Sequence, residues 1–105
     1  MASRPKYGNK KTIVDGFKFD SMREAARYGS LKILKAAGLI SNLRLQVSYT
    51  IMINEIKVCR YVADFVYIER GREVVEDVKG MKTPIYNLKK KLMKAVLGIT
   101  ISEVF

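Results

Sequence analysis

An alternating segment from Leu43 to Asn54 limits the possible folds more than any other feature of the sequence. Its odd positions carry leucine, valine, tyrosine or isoleucine, and nearly all of its even positions carry polar side chains. This period of two predicts a long β-strand with one face toward a core. Asn54-Glu55 predicts a turn into a second strand, Ile56 to Tyr67, and polar residues 69–72 predict a turn into a third, Glu73 to Lys79. The centre of the chain is therefore expected to be an antiparallel meander.

A hairpin and a helix are predicted before the meander. Asp15-Gly16 is a strong hairpin-turn dipeptide between two short apolar runs in the segment from Thr12 to Phe19. Ser21 followed three residues later by Glu24 forms a capping-box pattern, and Gly38 marks the helix end. The expected packing face of this helix consists of Ala25, Ala26, Gly29, Ile33, Ala36 and Ala37.

A second helix and a last strand are predicted after the meander. Thr83 followed by Pro84 is typical of a helix start, Gly98 of a helix end, and residues 99–104 favour a strand. A strand–helix–strand unit of this kind implies a crossover to a parallel neighbour, so we expect an α/β fold with a mixed β-sheet flanked by two helices. The helix is expected to bury Ile85, Leu88, Leu92 and Val96 and to expose Asn87, Lys90, Lys91 and Lys94.

The charge balance indicates a polyanionic partner. The 105 residues contain 20 Lys and Arg against 10 Asp and Glu, a net charge of +10, and neutralising phosphates releases counterions. We expect one domain over residues 12–105 after a basic arm at 1–11. No histidine and a single cysteine exclude Ser/His triads, His metal sites, Cys-based zinc sites and an intrachain disulfide. No apolar run reaches membrane-span length, so we expect no membrane partner. The single cysteine indicates a reducing compartment, and we expect a cytoplasmic location.

The positions of the few acids narrow the function further. Asp64 stands in the middle of the second meander strand, where an unpartnered carboxylate has a high desolvation cost. Asp77 and Lys79 share one face of the third strand, because side chains two residues apart point the same way. Such a group suits Mg²⁺ and phosphodiester chemistry, since Mg²⁺ is bound by a few carboxylate oxygens together with substrate phosphate. The alternatives are an ion pair with Arg60 or an exposed cross-strand salt bridge.

The sequence resembles the small phage-encoded nucleases of the PD-(D/E)XK superfamily, which are related to Holliday-junction resolvases. Asp64, followed after twelve residues by Asp77-Val78-Lys79, matches the superfamily signature, with Ala63 in place of its proline. The resemblance covers nearly the whole chain. It is carried further by Phe19-Asp20-Ser21, Glu24-Ala25, Arg27-Tyr28, Leu45-Gln46, Ala63-Asp64-Phe65 and Glu76-Asp77-Val78-Lys79-Gly80.

The resemblance implies a restriction-endonuclease-like fold and a site with defined roles. Asp64 and Asp77 would be metal ligands with Glu24 as a third, Lys79 the catalytic lysine and Gln46 a glutamine beside the site. Mg²⁺ would be the cofactor, with Mn²⁺ as a substitute, and the enzyme would be a homodimer. A phage-encoded chain would work in the host cytoplasm. Glu24 also has a competing role as the capping partner of Ser21, and Glu76 is expected to point away from Asp77.

The expected function is structure-selective cleavage of branched DNA of the Holliday-junction type. The second-helix lysines would contact the sugar-phosphate backbone, with Lys82 and Lys89 turned toward the active cleft. The alternatives are a non-catalytic nucleic-acid-binding module and a general or nicking endonuclease. The lysines expected to contact DNA are Lys6, Lys10, Lys11, Lys82, Lys89, Lys90, Lys91 and Lys94.

Overall fold

The computed structural model describes residues 11–79 and 81–105. The predicted arm therefore lies outside the described residues, except for Lys11, and nothing tests Lys6 or Lys10. The strands are β1 (Thr12–Val14), β2 (Phe17–Phe19), β3 (Ser41–Ile53), β4 (Ile56–Glu69), β5 (Arg72–Val78) and β6 (Ser102–Val104), and the helices are α1 (Met22–Ala36) and α2 (Pro84–Leu97).

Turn and cap residues form the boundaries that their chemistry predicts. Asp15 and Gly16 join β1 to β2 with φ angles of 52° and 79°, the left-handed conformation that a tight hairpin needs. The Ser21 hydroxyl accepts a hydrogen bond from the Glu24 backbone N–H, and the Thr83 hydroxyl caps α2 in the same way. Gly98 ends α2 at a φ of 69°.

The main sheet has four strands in the order β3-β4-β5-β6. The first three form the predicted antiparallel meander, and β6 pairs with β5 in parallel, with Glu76 opposite Ser102. β1 and β2 form a separate two-stranded sheet. The expected α/β class with a mixed sheet and two helices is confirmed, although β6 begins three residues later than predicted.

Two hydrophobic cores cover the sheet. The α1-side core and the α2-side core use opposite faces, since the neighbouring residues Val74 and Val75 of β5 belong to different cores. The buried members of the α1-side core are Phe19, Tyr28, Leu31, Ile40, Phe65 and Tyr67. Those of the α2-side core are Ile51, Tyr61, Ala63, Val66, Val75, Tyr86, Met93 and Ile101.

The predicted packing faces of both helices were correct only in part: Ala25 of α1 and Leu92 and Val96 of α2 pack against the cores, and the other buried positions differ. In α1, Ile33 is 71% exposed, while Tyr28 and Leu31 are buried. In α2, Ile85 and Leu88 are mostly exposed and the buried residues include Tyr86. Tyrosine replaces the expected aliphatic side chains because each phenol has a hydrogen-bond acceptor: Tyr28 donates to Asp15 and Tyr86 to Glu103. Neither described helix is long and apolar enough to cross a membrane.

Candidate active site

A bend in β3 lies opposite Asp64. Gln46 has a φ of 51°, in the left-handed region, between residue pairs Leu45–Phe65 and Val47–Ala63. The strands change faces at this point, since Leu45 and Phe65 pack in the α1-side core, whereas Val47 and Ala63 pack in the α2-side core. Asp64 is therefore placed at the boundary between the two cores.

Three acidic side chains, Glu24, Asp64 and Asp77, meet at this boundary and form what we call the carboxyl cluster. Glu24 and Asp77 are buried, at 7% and 4% exposure, and Asp64 is half-buried. Asp64 is close enough to both other carboxyl groups for each of them to influence its pKa. The three predicted site residues come from α1 and from the neighbouring strands β4 and β5.

The surroundings of the carboxyl cluster oppose ionisation of its members. Burial raises the pKa of Asp64 to about 8. A 2.7 Å hydrogen bond from the Val78 N–H opposes this rise, because it favours the ionised carboxylate. The charges of Glu24 and Asp77 raise the pKa of Asp64 further. Burial also raises the pKa of Glu24, with added repulsion from Asp20 and Asp77.

Asp77 holds the predicted catalytic lysine. Its Oδ1 lies 3.0 Å from the Lys79 ammonium, and its Oδ2 accepts a hydrogen bond from the Tyr61 hydroxyl. The Lys79 ammonium also lies 3.8 Å from the centre of the Tyr86 ring, a close cation–π contact. Lys79 is therefore fixed by Asp77 and Tyr86, beside the carboxyl cluster.

The carboxyl cluster differs from the paired acids of the described chain. Asp15, Glu73, Glu76 and Glu103 each form an ion pair with a lysine or arginine. Within the described ranges, by contrast, neither Glu24 nor Asp64 has a basic side chain at ion-pair distance, although the chain has twice as many cations as acids.

The donor chemistry of the carboxyl cluster fits a hard divalent cation, since carboxylate oxygens are the ligands such ions prefer and a bound cation would favour the ionised form of Asp64 and Glu24. The side chains do not stand in metal-binding positions: no set of three or more possible ligands among the described residues is arranged to hold an ion. Each oxygen of Asp77 already has one partner, Lys79 at Oδ1 and Tyr61 at Oδ2. A metal ion would share the Asp77 carboxylate with these partners or displace one of them.

Gln46 contributes to the site differently from the expectation. Its side-chain amide donates a weak hydrogen bond of 3.4 Å to the Lys18 carbonyl in β2. Its part in the site is the backbone bend opposite Asp64. Glu76 points away from Asp77, as expected, and accepts two 2.8 Å hydrogen bonds from Arg27 and a third from the Tyr67 hydroxyl.

The two lysines expected to turn toward the cleft, Lys82 and Lys89, have partners outside the carboxyl cluster. Lys82 pairs with Glu103 at 3.2 Å, and Lys89 donates to the Arg60 carbonyl in β4 at 2.9 Å. Lys90 also pairs with Glu103, at 2.8 Å. The exposed side of α2 carries the predicted Asn87, Lys90, Lys91 and Lys94 stripe, which lines a concave surface. Lys11 is exposed.

Three functional candidates escaped the sequence analysis: Tyr61, Tyr86 and Arg23. Both tyrosines lie against the predicted catalytic residues, as described above. Arg23 donates a 3.0 Å hydrogen bond from its guanidinium to the Lys79 carbonyl, which ties the start of α1 to the end of the motif strand. The sequence signal for Arg23 was its place beside Glu24, while the tyrosines gave no signal because their partners are distant in the chain.

Comparison with known proteins gives one match. The family described as "Protein of unknown function (DUF1064)" matches residues 4–98 of the chain. No curated protein and no solved structure matches it.

Proposed function

Because the chain belongs to DUF1064, a family of proteins of unknown function, its activity has to be argued from its own side chains, and we propose that it is a metal-dependent DNA endonuclease of the PD-(D/E)XK type. The single observation that carries the proposal is the carboxyl cluster with its adjacent lysine. Three acids gather at one buried boundary of a chain with a net charge of +10, and Lys79 alone among the described cations pairs with any of them. A structural role alone gives no reason to bury three neighbouring carboxyl groups where their ionisation is disfavoured.

The chain's own residues would divide the work as follows. Glu24, Asp64 and Asp77 would hold Mg²⁺, which when bound supplies positive charge that polarises the scissile phosphate and lowers the pKa of water. Lys79, freed in part from Asp77, would donate a hydrogen bond to a phosphate oxygen and stabilise the negative charge that develops there. Tyr86 would keep the ammonium charged and in place, since its ring face favours the cation.

The proposed substrate is branched DNA of the four-way-junction type. The support is the basic surface of α2 together with the resemblance to resolvase-related nucleases. Lysines along a helix bind the backbone without selecting a base sequence, so substrate selection would rest on DNA shape. A general or nicking endonuclease would use the same carboxyl cluster and differs only in substrate.

A homodimer is part of the proposal. Two copies would place two active sites against the two strands of a junction, and Ile85 and Leu88 expose apolar surface on α2 that a second copy could cover. Sedimentation equilibrium measures the mass directly. We expect a dimer for the wild type and a shift toward monomer for Leu88→Glu; a wild-type monomer at micromolar concentration would refute this part.

Cleavage and metal binding are tested together. Three proteins are compared: wild type, Asp77→Asn and the matched control Glu73→Gln, which changes an exposed acid of the same strand. Each is incubated with labelled four-way junction or labelled linear duplex, in the presence of either Mg²⁺ or EDTA. We expect Mg²⁺-dependent cutting by wild type and control, loss for Asp77→Asn, and a preference for the junction. Without DNA, Mg²⁺ should raise the melting temperature of wild type and control only. Cleavage that survives Asp77→Asn would refute the site, and equal cutting of both DNAs would refute the resolvase-type substrate.

A non-catalytic DNA-binding module is the second candidate. Its specific support is the direct Lys79–Asp77 ion pair, together with the lack of a ready metal-binding arrangement in the described part of the chain. In that case wild type would bind the junction with EDTA, cut nothing with Mg²⁺ or Mn²⁺, and show no Mg²⁺-dependent rise in melting temperature.

A further inference from the structure

A groove of about 490 Å³ lies between α2 and the segment that leads into β6. It is lined by Asn87, Lys90, Lys91, Lys94, Thr100 and Ile101, and we call it the basic groove. Ile101 is 4% exposed and closes its floor from the α2-side core. No acid is among its lining residues, so its chemistry favours an anion.

The charge of the basic groove is only partly compensated. Lys90 pairs with Glu103, and hydrogen bonds from Lys90, Tyr86 and Lys82 hold the pKa of that carboxyl at about 2, so it stays ionised. Lys91 and Lys94 are exposed, and no acid within the described ranges lies at ion-pair distance from either. Two positive charges are therefore available to a ligand.

The dimensions of the basic groove match a nucleic-acid strand. From Asn87 to Lys94 the helix rises about 10 Å, a length that spans two successive phosphates of one strand. The Asn87 amide and the Thr100 hydroxyl can donate to phosphate oxygens, and the lysine stems with Ile101 offer apolar surface to sugars.

The basic groove is connected to the carboxyl cluster by direct contacts. Lys90 bonds Glu103, Glu103 accepts from the Tyr86 hydroxyl, and the Tyr86 ring lies under the Lys79 ammonium. Three successive contacts therefore link the basic groove to the lysine beside the carboxyl cluster, so a ligand in the groove would lie on the side of α2 that contacts the predicted catalytic residues.

We propose that the basic groove binds the sugar-phosphate backbone of the DNA strand that flanks the cleaved bond. The claim that the bound strand is the one that is cleaved rests on the proposed function. The claim that the basic groove binds a sugar-phosphate backbone does not. Lys91 and Lys94 supply charge, whereas Asn87 and Thr100 fix the position of the phosphates. The basic groove thus contributes affinity and register, and the carboxyl cluster performs the reaction.

The test measures binding without catalysis. Fluorescence anisotropy with a labelled four-way junction in EDTA, over a series of NaCl concentrations, compares wild type with Lys91→Ala/Lys94→Ala. The matched control is Lys35→Ala/Lys57→Ala, which removes two exposed lysines elsewhere. We expect the slope of log K against log salt to become shallower by about 1.8 for the groove variant, since each phosphate contact contributes about 0.9, and by much less for the control.

Each outcome bears on a separate claim. Equal slopes for the two double variants would overturn the basic groove, whether or not wild type cuts DNA. A weakened groove variant alongside a wild type that never cuts would support the groove and refute the nuclease. Melting temperatures within a few degrees of wild type establish that both variants fold. With cutting observed, kcat at saturating junction should stay near the wild-type value while KM rises; a loss of kcat alone would also overturn the proposal.

Discussion

Replacing Asp64 by asparagine tests whether the carboxyl cluster stores electrostatic repulsion. Asparagine has nearly the same shape and keeps an oxygen that can accept the Val78 N–H hydrogen bond. It removes the charge that burial and two neighbouring carboxyl groups disfavour. We therefore expect the variant to be more stable than wild type at alkaline pH when no divalent ion is present.

The size and sign of the effect follow from the pKa of Asp64. The pKa of Asp64 is about 8 in the folded chain, against 3.8 for an ordinary aspartate. Between pH 3.8 and pH 8 the folded state therefore holds a proton on Asp64 that the unfolded state has lost. Wild-type stability must then fall as pH rises through this range, by at most about 1.4 kcal/mol per pH unit. Because water reaches the half-buried carboxyl and screens part of the repulsion, we expect a loss of roughly 2–3 kcal/mol between pH 5 and pH 8.

The free energy of unfolding is measured by urea titration in EDTA at pH 5, 6, 7 and 8, with circular dichroism as the signal. Wild type and the control Glu55→Gln, which changes an exposed acid in the β3–β4 turn, should lose stability together as pH rises. Asp64→Asn should show a flatter profile and exceed wild type at pH 8. Parallel profiles for all three proteins would refute the electrostatic account of the carboxyl cluster.

Three further perturbations test neighbouring contacts. Glu76→Gln should destabilise the fold by about 3–5 kcal/mol in urea, because it leaves the Arg27 guanidinium without its buried carboxylate; a loss under 1 kcal/mol would contradict this. Tyr86→Leu should lower kcat more than it raises KM, because Lys79 loses the ring that holds its ammonium. Tyr86→Phe, which keeps the ring, should restore much of kcat. Equal kcat values for wild type and the two variants would contradict the positioning role. Glu103→Gln should steepen the salt dependence of junction binding, because it frees two lysines; an unchanged slope would count against it.

The antiparallel meander and the proximity of Asp64, Asp77 and Lys79 could be predicted from the sequence because they follow from local rules, whereas the place of Glu24 was implied only by the family resemblance. Side chains in a strand alternate with a strict period of two, so the shared face of Asp77 and Lys79 needs no tertiary information. The turn pairs Asp15-Gly16 and Asn54-Glu55 fixed the hairpins, since both adopt the left-handed conformation that tight turns need. The proximity of Asp64 then followed from the pairing of neighbouring strands.

The helix faces and the partners of the lysines could not be predicted because they depend on long-range contacts. Tyr86 is buried in place of Ile85 only because Glu103, seventeen residues later, accepts its hydrogen bond. The same acid holds Lys82 and Lys90. The bend at Gln46 also lacked a signal, since a glutamine with positive φ is rare and nothing in its neighbours favours it.

The change of faces between Gln46 and Asp64 has a consequence for how the protein unfolds. Strands β3, β4 and β5 each contribute side chains to both cores. Unfolding of these strands would therefore expose both cores at once. We expect one cooperative transition, with amide hydrogens in α1 and α2 exchanging at similar free energies. The carboxyl cluster lies at the boundary between the α1-side core and the α2-side core, so its geometry persists only while both cores remain folded.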